Sequence, residues 1–181
     1  MSDGAYQIRA ADIDDLDRLT ELLLALQDHV EAANPTLWQM TGKGRQNLKG
    51  QIRGRLTAQD ARALVAEHPE QGVVGMIFGR VVVNNRYTPP QAGQIDQAFV
   101  HPNHRRRGVG ALLAAGICRF FAEQGVEDLT LRYALGNDEA VAFWQALGFA
   151  PRIVVAGASR QEIEARLAQM QTRATAFITS V

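Results

Sequence analysis

One short stretch constrains this chain more than any other: Arg105-Arg106-Arg107-Gly108-Val109-Gly110. It follows Gln94–Val100, a strand-like run that ends before Pro102, a residue with no N–H for a ladder. Beyond it Val109, Leu112, Leu113, Ile117, Phe120 and Phe121 recur at helical spacing, and Gly125 closes that segment. A strand that feeds a helix in this way leaves backbone N–H groups unpaired at the helix start, where the dipole favours negative charge. Gly108 and Gly110 clear side chains from an approaching phosphate, and the arginines add charge-assisted hydrogen bonds. By itself the segment reads either as a solvated basic helix start or as a grip for diphosphate. A dinucleotide fingerprint does not fit: Gly108-Val109-Gly110-Ala111-Leu112-Leu113 lacks the third small residue, and no acidic ribose ligand follows at a suitable distance. The Lys-Ser/Thr pair of a nucleoside triphosphate loop is also missing.

The rest of the chain alternates helices and strands. Asp12 opens a helix carrying Ile13, Leu16, Leu19, Leu22, Leu23, Leu26 and Val30 on one stripe, and Asn34-Pro35 stops it. Gly42-Lys43-Gly44 breaks the chain before a second helix, Asn47–Leu56, which Gly50 and Gly54 weaken. Ala63–Ala66 and Val73–Val83, joined through His68–Gly72, read as an antiparallel hairpin. Asn84–Gly93 is a loop. Leu129–Leu135 is a strand lying parallel to Gln94–Val100 through a right-handed crossover. Asp138–Leu147 is a helix, Arg152–Val155 a last strand, and Ser159-Arg160-Gln161-Glu162 a capping box for a C-terminal helix. One domain is expected over 6–171, with 172–181 as a tail.

Lys plus Arg and Asp plus Glu both number 19, so bulk charge points neither to nucleic acid nor to an anionic membrane surface. The single cysteine, Cys118, excludes an intramolecular disulfide and a Cys-based metal site, and its apolar neighbours suggest a buried position. The N-terminus lacks the basic and apolar regions of a secretory signal, and no apolar run approaches the ~20 residues of a membrane span. A soluble cytoplasmic protein without a metal is the expectation.

Two blocks together carry a family resemblance. Arg105-x-x-Gly108-x-Gly110 after Phe99-Val100-His101-Pro102 resembles motif A of the GCN5-related N-acetyltransferases. Asn137-x-x-Ala140-x-x-Phe143-Trp144-x-x-Leu147-Gly148-Phe149 is similar to that family's later Asn, aromatic, Gly-Phe signature. The resemblance covers most of the chain, from Tyr6 to about Val155. It implies an α/β fold: a mixed, largely antiparallel sheet with a splayed parallel pair and helices on both faces. It implies acetyl-CoA as cosubstrate, its pantetheine arm beside Ala98, Phe99 and Val100, and its diphosphate at Arg105, Arg106, Arg107, Gly108, Val109, Gly110 and Ala111. Asn137 and Phe143 lie where the family contacts the arm, although an N-cap and a core aromatic are equally consistent readings. A homodimer, through elements after Pro151, is a further implication.

The resemblance implies direct attack of a neutral amine on the thioester, with a backbone N–H near Phe99 as oxyanion donor. Asp96 is the candidate base, placed by alternation on one face with Ala98 and Val100; the alternative is a polar residue on a wet face. Gln94 stands where some members carry a base, but an amide cannot act as one. Trp144 occupies the position of the family's usual acidic tyrosine, so Tyr133 is the substitute candidate, with core packing as its alternative. For the acceptor, Asp28, Glu31, Trp38 and Tyr87 are candidates: carboxylates suit a cationic amine, and an aromatic supplies a cation–π wall. The expected acceptor is a small-molecule amine. A peptide or protein amine, a longer acyl group or a coenzyme-binding sensor without turnover are the rivals.

Overall fold

In the computed structural model, the residues described are 6–36, 39–86 and 88–179. The elements run β1 (Gln7–Ala10), α1 (Leu16–Ala33), α2 (Gly42–Leu56), β2 (Ala61–His68), β3 (Gly72–Val83) and β4 (Gln91–Val100). A 3-10 turn at Pro102–His104 then leads to α3 (Val109–Glu123), β5 (Leu129–Leu131), α4 (Asp138–Ala146) and α5 (Arg160–Thr179). The sheet order is β1-β2-β3-β4-β5, antiparallel except for the parallel pair β4–β5. This is the mixed sheet expected from the sequence. Among the described residues no helix is long and apolar enough to cross a membrane.

Helices cover both faces of the sheet. Leu19 and Leu22 of α1 and Leu48 and Ile52 of α2 pack with Val65, Met76, Phe78 and Phe99 on one face. On the other, Ile117 and Phe121 of α3 press onto Gly79 and Gly93, where an added Cβ would lie within 2.8 Å of those side chains. Helix α3 thus lies too close to the sheet for side chains at the crossing points.

Helix α1 begins one turn later than Asp12, because Asp12 instead accepts the Asp14 N–H and Asp15 takes the cap position. The buried Asp15 carboxylate accepts two bonds from Arg9, at 2.7 and 2.8 Å, and the Asp12 N–H at 2.9 Å. Arg9 holds the Asp15 carboxyl below the usual range, against the opposing effect of burial. A depressed folded-state value stabilises the fold above about pH 4, and that contribution disappears as pH falls through the lower value. Asp15→Asn is therefore expected to cost about 1–3 kcal/mol near neutrality and to flatten the acid limb of stability against pH, measured by denaturant unfolding.

Helix α2 starts at Gly42 rather than Asn47: Thr41 caps it by accepting the Gly44 N–H, and buried Leu48 and Ile52 outweigh the low propensity of its glycines. Strand β2 is longer than Ala63–Ala66, and β4 begins at Gln91, inside the expected loop, because Gln91, Ala92 and Gly93 pair with β3. Strand β5 stops at Leu131 instead of Leu135. Cys118 is exposed, not buried: it is one residue, about 100°, away from the stripe of Leu113, Ile117 and Phe121. Desolvation nevertheless pushes its thiol pKa up, away from nucleophile chemistry.

The described residues up to Leu147 form one compact unit and those from Gly148 a second. In the second, the expected strand Arg152–Val155 is absent: the segment carries no ladder, and Ile153, Val154 and Val155 are 85, 78 and 89 % exposed. Side-chain type alone makes no strand without a paired neighbour. The capping box is present, with the Glu162 N–H donating to Ser159 Oγ and the Ser159 N–H donating to Glu162.

Candidate active site

Strand β4 is paired on both sides only in its first half. Gly93, Gln94 and Ile95 pair with Leu129, Thr130 and Leu131, after which β5 ends and β4 runs on to Val100. On that side the edge from Asp96 to Val100 is uncovered by β5. The His101 N–H donates to Val74 O of the strand next door, so alternation turns the backbone groups of Phe99 toward β3 and those of Ala98 and Val100 to the open edge. This narrows the donor expected near Phe99: by alternation the Phe99 N–H belongs to the β3 ladder, and the Ala98 and Val100 N–H groups face the gap. An extended arm with amide groups can add to such an edge as a strand does.

The glycine-arginine turn continues directly from that edge. Arg106 has φ 61° and Gly108 φ 80°, so the backbone passes twice through the left-handed region before α3 begins. The first intrahelical bond is Leu112 N–H to Gly108 O, at 3.0 Å. The N–H groups of Val109, Gly110 and Ala111 consequently have no carbonyl one turn back, and the helix dipole adds to their field. Arg106 and Arg107 are exposed around this cup.

Arg105 has a different task. Its Nε donates to Val100 O at 3.0 Å, its NH1 reaches Glu139 of α4 at 2.6 Å, and its guanidinium lies 5.4 Å from the Phe99 ring centroid. It fastens the end of β4 to the turn and to α4. Gly110 has a structural reason of its own: an added Cβ would meet the Phe143 ring at 3.2 Å. His104, only 2 % exposed, anchors the other flank between Tyr6 Oη (2.9 Å) and Gln71 Oε1 (3.0 Å). Burial, and then His68, lowers its pKa.

Asn137 caps α4, its Oδ1 accepting the Ala140 N–H at 3.2 Å, so the cap reading of this residue is realised. Phe143 is half-buried, edge-on to the buried Trp144 with ring centroids 4.8 Å apart. Tyr133 lies just beyond β5 and is half-buried.

Asp96 departs from simple alternation. The ladder pairs Phe78 with Gln97 and Gly79 with Ile95, leaving Asp96 as the extra residue of a β-bulge. Its side chain therefore shares the α1–α2 side with Gln97, not the face of Ala98 and Val100. Its carboxylate is 9 % exposed and accepts Gln94 Nε2 at 2.7 Å; Arg80 Nε lies at 3.1 Å and Arg55 NH2 at 3.9 Å. The bulge thus brings the Asp96 carboxylate to two guanidinium groups, Arg80 from β3 and Arg55 from α2.

Between α1, α2 and β4 lies a cleft of about 140 Å³, lined by Leu23, Leu26, Gln27, Met40, Leu48, Gln51, Ile52, Arg55 and Gln97. Its polar end is closed by a hydrogen bond from Arg55 to Gln97. Asp28 and Glu31 are not among its walls. Asp28 is paired with Arg45 at 2.8 Å, and Glu31 accepts the Met40 N–H and Gln27 Nε2, both at 2.8 Å. The Met40 bond leads in holding the Glu31 carboxyl below its usual range. These acids fix the α1–α2 connection. Trp38 and Tyr87 lie outside the described residues. Arg55, Gln97 and Arg80 were missed in the sequence, although Leu48, Gln51, Ile52 and Arg55 mark one helix face at i, i+3, i+4 and i+7.

Known proteins share this architecture. The BH1408 protein of Bacillus halodurans, in a mutant form, superposes with TM-score 0.75 at 15 % identity, over 84 % of this chain and 99 % of that one. An aminoglycoside 6'-N-acetyltransferase of Acinetobacter baumannii gives 0.67 at 19 % identity, covering 86 and 99 %. A ribosomal-protein-alanine N-acetyltransferase of Brucella melitensis gives 0.64 at 18 % identity, with the same coverage. Identities this low speak for the fold alone. The sequence itself goes further, since the family model described as Acetyltransferase (GNAT) family matches residues 23–149. With the half-open β4 edge and the phosphate-type turn in place, the chain belongs to the GNAT acetyltransferase family and is an acetyl-CoA-dependent N-acetyltransferase.

Proposed function

We propose that this enzyme acetylates a primary amine of a small molecule by direct attack within a ternary complex. The observation that carries the reading is a single strand with two uses. The uncovered edge of β4 at Ala98 and Val100 serves the donor, while the bulged Asp96 lies on the α1–α2 side, 3.9 Å from Arg55 of the cleft wall. Acetyl-CoA supplies the thioester carbonyl as electrophile. The N–H groups at the start of α3, with Arg106 and Arg107 beside them, hold its diphosphate. Ala98 and Val100 align the arm, and one of their N–H groups stabilises the oxyanion. Asp96 accepts a hydrogen bond from the incoming ammonium and takes its proton, directly or through water. The indole of Trp144 is no acid, so the thiolate is protonated by solvent or by Tyr133.

A cleft of about 140 Å³ favours a compact acceptor over a folded protein surface. Release of free thiol from acetyl-CoA across a panel of small amines and short peptides tests this. A small amine is expected to outrun the peptides by at least ~10-fold in kcat/KM. If coenzyme binds and no amine supports release, transfer fails and a coenzyme-binding sensor is left. If peptides are the better substrates, the small-molecule reading fails.

A further inference from the structure

Carboxylates at the mouth were expected to select a cationic amine, yet the cleft wall holds none. It holds five apolar side chains, three glutamines and one cation, Arg55. Two carboxylates lie just behind the wall: Glu31, bonded to Gln27 and Met40, and Asp96, 3.9 Å from Arg55. At the Arg55 end, Arg55 and Arg80 outnumber Asp96, so that end carries net positive charge. Arg55 uses one NH1 bond on Gln97, and its NH2 is 3.9 Å from Asp96, beyond a direct hydrogen bond. A guanidinium has five N–H groups, and the Arg55 side chain is 40 % exposed, so donors remain for a ligand. A cation in the wall and an anion beside it thus mark the polar end of an apolar cleft.

From this we infer that the acceptor is a zwitterionic α-amino acid with an apolar side chain. Its ammonium meets Asp96 and its carboxylate meets Arg55. These two groups sit on one carbon, which matches the close spacing of Asp96 and Arg55. Arg is suited to a carboxylate because its planar fork binds both oxygens. The side chain enters among Leu23, Met40, Leu48 and Ile52; an apolar cavity of about 150 Å³ accepts benzene, so a leucine- or phenylalanine-sized group fits about 140 Å³. This inference rests on the small-molecule reading and on Asp96 receiving the amine.

The test uses the full chain, acetyl-CoA and two matched sets: leucine, leucinamide and isopentylamine; phenylalanine, phenylalaninamide and phenethylamine. The free acids are expected to exceed both partners by at least ~10-fold in kcat/KM. The amide ammonium gives up its proton more readily than that of the acid, so intrinsic reactivity runs against this preference. In Arg55→Met the ratio of acid to amide is expected to fall at least ~5-fold, with Arg55→Lys intermediate. Equal use of acid and amide by the unmodified chain overturns the inference, as does an unchanged ratio in a folded Arg55→Met. Turnover of other small amines but of neither set overturns it while leaving the small-molecule reading standing. Absence of turnover with every amine removes both.

Discussion

Asp96→Asn is expected to lower kcat/KM for the acceptor at least ~100-fold, about 2.7 kcal/mol in barrier, while coenzyme A affinity changes less than ~3-fold. The asparagine keeps the size of the side chain at the bulge and still accepts hydrogen bonds from Gln94 and Arg80. What it loses is the charge that attracts the ammonium and the oxygen able to take its proton. Steady-state kinetics and calorimetric titration of coenzyme A separate the two effects. A loss below ~3-fold means that Asp96 only ties Arg55 and Arg80 to the sheet, and the amine approaches elsewhere.

The second large effect belongs to the turn. Gly108→Val is expected to weaken coenzyme A binding at least ~10-fold, about 1.4 kcal/mol. At φ 80° a β-branched residue is strained by roughly 1–2 kcal/mol, and relief of that strain rotates the N–H groups away from the diphosphate. Glycine has no such conflict. Arg105 reaches the same site indirectly: it joins Val100 O to Glu139, so it sets the distance between the β4 edge and the helix start. Unchanged affinity in a folded Gly108→Val would move the phosphates away from this turn.

The strand–turn–helix start that we propose for the donor was legible in the sequence because it is built from backbone. A strand, two glycines and a helix start at fixed spacing specify where N–H groups point, whatever surrounds them. The acceptor half was not legible because it depends on tertiary placement. Nothing local marks Asp96 as a bulge residue; the bulge appears only when the register of β3 against β4 is fixed. Arg55 reaches Gln97 because α2 packs through Leu48 and Ile52, which carries its last turn over that residue. Asp28 and Glu31 looked like amine ligands until Arg45, seventeen and fourteen residues away, proved to be their partner. The strand expected at Arg152–Val155 failed for a related reason: β-branched residues state a preference, and a paired neighbour is what realises it.

The account centres on one strand, β4, serving donor and acceptor from its two halves. A crystal structure of the chain with coenzyme A bound tests that most directly. The account predicts the pantetheine amides paired with the backbone of Ala98 and Val100, the diphosphate within hydrogen-bond reach of the N–H groups of Gly108 to Ala111, and the thiol pointing toward Asp96. A diphosphate held away from the start of α3, or an arm that leaves the β4 edge bare, would contradict it.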